Sequence, residues 1–211
     1  MKTSSTDHVK EMYEATADAY SVMMDSEIDL PLYTEVLSRL QANLVTTSGV
    51  LIDTSCGSGH MLSMYRHQFD SARPLMGLDL SPSMVKIASG RLGGAADILV
   101  GDMRDLGMVE DVSAAGVISF FSLHHLPPDD VRQALGEWCR VLAPGGQLLL
   151  AAWEGNGSID YGEASDVVAL RYRQSEMSSW VRDAGLDITR STVEPVEGLE
   201  MDGLYIDATK R

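Results

Sequence analysis

Cysteine is scarce in this chain. Cys56 and Cys139 are its only two in 211 residues, and neither stands in a context with metal-ligand spacing. A cysteine-built metal centre is therefore excluded, and a structural disulfide is not expected in a cytoplasmic chain. Positive charge is also short: 16 Lys and Arg face 31 Asp and Glu, for a net charge of −15. That balance tells against nucleic acid and anionic membranes as partners, because both are held mainly through Lys and Arg. It serves solubility, marks a salt-rich habitat, or attracts a cationic substrate. No apolar run approaches the length of a membrane span. The first thirty residues are polar and partly acidic, unlike a secretory leader, so a cytoplasmic location is expected. No repeat or low-complexity tract is visible.

What the chain does have is alternation. Val9, Met12, Tyr13, Tyr20, Met23 and Met24 recur at helical spacing over residues 6–24, and Pro31 opens a second helical stretch to about Leu44. Short apolar strands are then predicted at 49–53, 74–79, 96–100, 116–121 and 147–153, with helices near 59–69, 81–91 and 129–142 between them. Ser81-Pro82 is a helix start, and Ala143-Pro144-Gly145-Gly146 a stop before the next strand. After Trp153 come a polar loop, an extended segment at 167–172, a helix at 174–184, and strands at 186–193 and 199–209 close enough to pair. This pattern predicts an α/β fold with a parallel sheet covered on both faces and an antiparallel C-terminal hairpin. Residues 1–45 are expected to form a helical cap and 46–211 the sheet domain, with a short cap loop at 154–173.

Ligands of such sheets bind outside the carboxyl ends of the parallel strands. The first strand ends in Asp53 and a turn carrying Gly57 and Gly59, where a ligand can approach the backbone closely. An acid at this tip disfavours a phosphate and suits a cation or a donor of hydrogen bonds. The second strand ends in Asp79, which could accept both hydroxyls of a ribose, and the third in Gly101-Asp102-Met103, an acid beside a side chain able to pack on a flat base. The fourth ends in Ser119-Phe120-Phe121 and runs into Ser122-Leu123-His124-His125. One acid after a strand is usually a cap; three at successive strand ends are harder to assign that way.

Together these residues resemble the class I S-adenosylmethionine-dependent methyltransferases of the small-molecule type, over about residues 8–210. Asp53 to Gly59 is similar to the glycine-rich first motif, with Ser55 where the family usually has glycine, and Asp79 to the ribose-binding acid. Gly101-Asp102-Met103 resembles the adenine turn, Val117 to Leu126 the fourth motif, and Arg140 to Gly146 the turn after it. The resemblance implies a Rossmann-like, doubly wound, three-layer α/β/α fold with S-adenosylmethionine as cofactor, S-adenosylhomocysteine as product and no metal. It places Asp53, Ser55, Cys56, Gly57 and Gly59 at the methionine end, and Asp79, Leu80, Met84, Asp102 and Met103 along the nucleoside. Ser119 and Phe120 complete these contacts, and Tyr13 and Tyr20 belong to an N-terminal helix that closes over the cofactor. The alternative for both tyrosines is plain core packing.

Methyl transfer to a hydroxyl or amine can use a base, and His124 and His125 are the candidates; the alternative is a structural bond to nearby backbone. The acceptor pocket is expected from Tyr20, Met24, Tyr33, Trp153, Tyr161, Arg171 and Tyr172, whose aromatics suit an aromatic or heterocyclic metabolite methylated on O or N. Two rivals stand beside this reading: a non-catalytic module that binds S-adenosylmethionine or S-adenosylhomocysteine, and an RNA methyltransferase, which would need a basic stripe. A monomer or homodimer with no nucleic-acid or membrane partner is expected. Asp79→Ala is expected to weaken cofactor binding with little effect on folding.

Overall fold

Alternation along each strand decides which side chains meet which layer. In β1 (Val50–Asp53), Leu51 points into one apolar cluster and Ile52 into the other. In β4 (Ala114–Phe120) Val117 and Ile118 divide the same way, and in β5 (Leu142–Trp153) Leu148 and Leu150 oppose Leu149. Strands buried on both faces are the mark of a sheet covered twice. The computed structural model, which describes residues 3–159, 167–196 and 199–211, has this arrangement.

One face is covered by α5 (Pro128–Val141) and α6 (Gln174–Asp183). Val131, Ala134, Leu135, Trp138 and Val141 recur at three- and four-residue spacing, so α5 presents one continuous apolar stripe to the sheet. Trp138 is fully buried, and its indole N–H donates to the Met103 carbonyl at 3.0 Å, so the largest core side chain also anchors the turn after β3 (Asp97–Val100). The other face is covered by α2 (Pro31–Leu44), α3 (His60–Gln68) and α4 (Pro82–Leu92). With β2 (Leu75–Asp79), β8 (Leu186–Pro195) and β9 (Asp202–Lys210), the sheet order is β3-β2-β1-β4-β5-β9-β8. The first five strands are parallel, while β9 runs antiparallel to both β5 and β8. This is a Rossmann-like doubly wound sheet with an antiparallel C-terminal pair.

Local chemistry fixes the ends as expected. Ser81 accepts the Met84 N–H at 3.2 Å and Pro82 follows at the first helical position. Gly59, at φ 81°, turns the chain from the first motif into α3. The largest shift from the expected boundaries is at β5, which begins at Leu142 because residues 143–146 stay beside β4 through a register irregularity between Ala114 and Gly116; β4 starts two residues early and β9 three residues late. In the loop expected after Trp153, Ser158–Ile159 (β6) pairs antiparallel with Ala169–Leu170 (β7). The helix α1 (Thr6–Glu27) packs against α4 and crosses toward the strand ends. Among the described residues no helix is long and apolar enough to cross a membrane.

Candidate active site

Four parallel strands end at one cleft, which holds roughly 770 Å³ of space, part of it open to solvent. Its walls are Ser55 and Gly57 after β1, Asp79 and Leu80 after β2, Asp102 to Arg104 after β3, and Phe120 to Ser122 after β4. Its roof is α1, through Thr6, Val9, Tyr13 and Tyr20.

The roof is tied down along its length. Tyr13 O–H lies 3.0 Å from His125 Nε2. Glu14 accepts the Ser83 N–H at 3.0 Å and the hydroxyls of Ser81 and Ser83 at 2.5 and 2.7 Å, capping α4 from outside. Asp25 meets His60 Nε2 at 2.8 Å and Arg91 at 2.9 Å. At the other end Arg104 donates to Thr6 Oγ1 at 2.8 Å, to both carboxylate oxygens of Asp102, and to Asp130. One guanidinium thus joins α1, the β3 turn and the start of α5.

The acids differ by position. Asp53 is buried behind the turn and accepts the Ser55 N–H at 3.2 Å. Burial, with the charge of Asp79 adding to it, pushes its carboxyl up to about 7. Asp79 accepts the Gly57 N–H at 2.9 Å and the Ser81 N–H at 3.0 Å; burial raises its pKa, and these donors work the other way. It therefore organises the first-motif turn as well as facing the cleft, and Asp79→Ala would strand two N–H groups, so the expected indifference of folding is corrected. For Asp102, burial opposes the charge, but the Arg104 hydrogen bonds outweigh it and hold the acid below the usual carboxylate range.

The histidines separate as well. His125 lines the cleft, and burial lowers it to about 4 against the weaker pull of the Val168 carbonyl, 3.5 Å from Nδ1. His124 is buried outside the cleft lining, and burial, with His125 beside it, holds it well below the ordinary histidine range. Both are neutral imidazoles near pH 7.

Of the expected cofactor contacts, Tyr13, Tyr20, Ser55, Gly57, Asp79, Leu80, Met84, Asp102, Met103 and Phe120 line the cleft. Asp53, Cys56, Gly59 and Ser119 stand behind its wall. Burial pushes the Cys56 thiol well up, and its Sγ donates to the Gly57 carbonyl at 3.7 Å.

Of the expected acceptor residues among those described, Tyr20 alone lines this cleft. Met24 and Tyr33 are core, with the Tyr33 O–H on Glu27 at 2.6 Å. Tyr172 donates to the Leu126 carbonyl, and Trp153 stacks 4.4 Å behind Phe121. Arg171 packs over Gly155, and Tyr161 lies outside the described residues. The structure adds Thr6, Val9, Thr54, Arg104, Phe121, Ser122 and Leu126. Phe121 has φ 49°, a rare backbone for a bulky residue, and no sequence signal announces it. Among the described residues no group of three or more His, Cys, Asp and Glu side chains could hold a metal ion.

A family model for methyltransferase domains matches residues 51–146, the segment from β1 into β5. A dTDP-4-amino-2,3,4,6-tetradeoxy-D-glucose N,N-dimethyltransferase from Saccharopolyspora spinosa is 31% identical over 103 residues, 49% of this chain and 40% of the relative. A tRNA (carboxymethyluridine(34)-5-O)-methyltransferase from Arabidopsis thaliana is 29% identical over 147 residues, 69% of this chain and 32% of the relative. The chain thus spans less than half the length of these two relatives. The fold matches a Burkholderia thailandensis 1,6-didemethyltoxoflavin-N1-methyltransferase, solved with 1,6-didemethyltoxoflavin and S-adenosylhomocysteine, at a TM-score of 0.72 and 18% identity, over 100% of this chain and 93% of that one. The sheet order, the strand-end cleft and the match of residues 51–146 to the methyltransferase-domain family are consistent with a class I S-adenosylmethionine-dependent methyltransferase.

Proposed function

We propose that the protein transfers a methyl group from S-adenosylmethionine to O or N of a small metabolite, with an aromatic or heterocyclic ring as the best-suited acceptor. The observation that carries this reading is the roofed cleft: α1, tied down at Thr6, Tyr13, Glu14 and Asp25, closes the strand-end cleft over apolar and aromatic walls suited to a small acceptor. The aminosugar N,N-dimethyltransferase relative supports a small acceptor.

The residues present fit the cofactor. Asp79 stands at a strand tip where a ribose would meet it, and Leu80, Met84 and Met103 offer apolar contact to a base. Gly57 leaves the turn bare beneath Tyr20: a Cβ there would stand 3.1 Å from the ring. When bound, S-adenosylmethionine would supply a methyl group already activated on a sulfonium. The protein's own share is alignment and exclusion of water, which α1 performs as the roof.

His125 and Tyr13 can hold the acceptor's proton. With Nδ1–H directed at the Val168 carbonyl, Nε2 is left to accept from Tyr13. An acceptor hydroxyl or amine can then give its proton to Tyr13 Oη as the phenol's own proton passes to His125 Nε2.

The test is S-adenosylhomocysteine formation with a panel of small hydroxyl and amine acceptors. Product that depends on an acceptor supports the reading. Cofactor binding without product from any acceptor favours a non-catalytic module. Transfer to RNA is the second reading, favoured by the tRNA methyltransferase relative. It predicts salt-sensitive RNA binding, for which a chain of net charge −15 is poorly equipped.

A further inference from the structure

The turn from β1 into α3 uses nearly all of its polar groups internally. Thr54 Oγ1 donates to the Ile118 carbonyl at 3.1 Å, the Ser55 N–H to Asp53, the Cys56 N–H to the Leu78 carbonyl at 2.8 Å, and the Gly57 N–H to Asp79. Ser58 Oγ lies 2.9 Å from His60 Nδ1. The exception is Ser55. Its Oγ is shielded from solvent and has no hydrogen-bond partner among the described residues, although Ser55 itself lines the cleft. A buried hydroxyl left unpaired costs stability, so the same turn would be better served by alanine or glycine if packing were the only demand on it.

We infer that the Ser55 hydroxyl is a ligand-binding donor, added to the first motif of this chain, which bonds the carboxylate of the methionine tail of S-adenosylmethionine and of S-adenosylhomocysteine. The inference rests on the cofactor reading above. No internal bond holds the hydroxyl, so rotation about one bond turns it into the cleft without breaking anything. Charge decides between the two ends of the tail. Arg104 is the single Lys or Arg among the described residues lining the cleft, and Asp102 and Asp130 already occupy it at the nucleoside end. Asp53 lies behind the methionine end of the turn, and Asp79, at the ribose, is joined to the same turn through the Gly57 N–H, so the ammonium meets a favourable field while the carboxylate needs neutral donors.

The test is calorimetric titration of the full chain and of Ser55→Ala with three ligands. S-adenosylhomocysteine carries the whole tail, decarboxylated S-adenosylmethionine keeps only the ammonium, and 5′-methylthioadenosine has neither. The expected result is roughly tenfold weaker binding of S-adenosylhomocysteine by Ser55→Ala, with the other two unchanged. The Tm of the ligand-free variant should be equal to or above that of the parent, since an unpaired hydroxyl has been removed. Equal affinity of both proteins for S-adenosylhomocysteine overturns the assignment. So does a comparable loss with 5′-methylthioadenosine, a loss with the decarboxylated ligand, or a lowered Tm. A parent protein that binds none of the three overturns the cofactor reading itself, and is told apart because in the other cases the parent binds.

Discussion

The Tyr13 phenol meets Nε2 of His125 at 3.0 Å, joining the roof helix to the loop after β4 across 112 positions of chain. Tyr13→Phe should cost about 1 kcal/mol of stability, the worth of one such bond. It should also lower kcat roughly a hundredfold once an acceptor is in hand, with the KM for S-adenosylmethionine little changed. Denaturant unfolding and steady-state kinetics check the two parts. A threefold or smaller change in kcat would remove the pair from the chemistry.

The same histidine sets a pH dependence. His125 titrates at about 4 in the fold, and His124 lies well below the ordinary value of 6.5. The unfolded chain therefore takes up protons first as pH falls; the stability these groups contribute is present above about 6.5 and lost below it, for His125 on the way down to about 4. Asp53 has the opposite sign: raised to about 7 from 3.8, it favours the fold at low pH and loses that contribution as pH rises through 7. Urea melts from pH 4.5 to 8 should show His125→Gln gaining on the parent as pH falls, and Asp53→Asn gaining as pH rises. Parallel curves would contradict both assignments.

Gly59 is the tightest point of the first motif. At φ 81° it also faces α4, where an added Cβ would stand 3.0 Å from the Ala88 Cβ and 3.1 Å from its Cα. Gly59→Ala should cost about 1–3 kcal/mol by strain and crowding together. Gly90→Ala, where nothing lies within 4 Å, is the matched control and should be neutral or stabilising.

Arg104 holds three elements, so its loss should be felt at a distance. Arg104→Ala frees Thr6, Asp102 and Asp130 and should cost roughly 2 kcal/mol. Amide exchange should quicken in the first turns of α1 and leave its C-terminal half, held by Asp25, unchanged. Uniform quickening along the helix would deny Arg104 its local role.

Local signals made the frame legible. Ser81-Pro82, the Gly57–Gly59 turn and the short apolar strand runs place their elements within a few residues, because each acts over a short stretch of chain. The strand-end acids were legible too, since a strand's last residue must face the ligand edge of such a sheet. What the acids do there was not. Gly101-Asp102-Met103 resembles an adenine turn, yet Arg104, two residues on, takes both oxygens of Asp102. Tyr13–His125 and Arg104–Thr6 join residues 112 and 98 positions apart, which no local pattern encodes. The acceptor pocket was the weakest reading, because Met24, Tyr33 and Tyr172 look the same in sequence whether they close a core or line a cavity.

The most direct measurement is a crystal structure with S-adenosylhomocysteine bound. The account predicts the ribose hydroxyls on Asp79, the base against Met84 and Met103, and the sulfur facing the Tyr13–His125 side of the cleft. A ligand bound elsewhere, or in this cleft with the ribose away from Asp79, would contradict it.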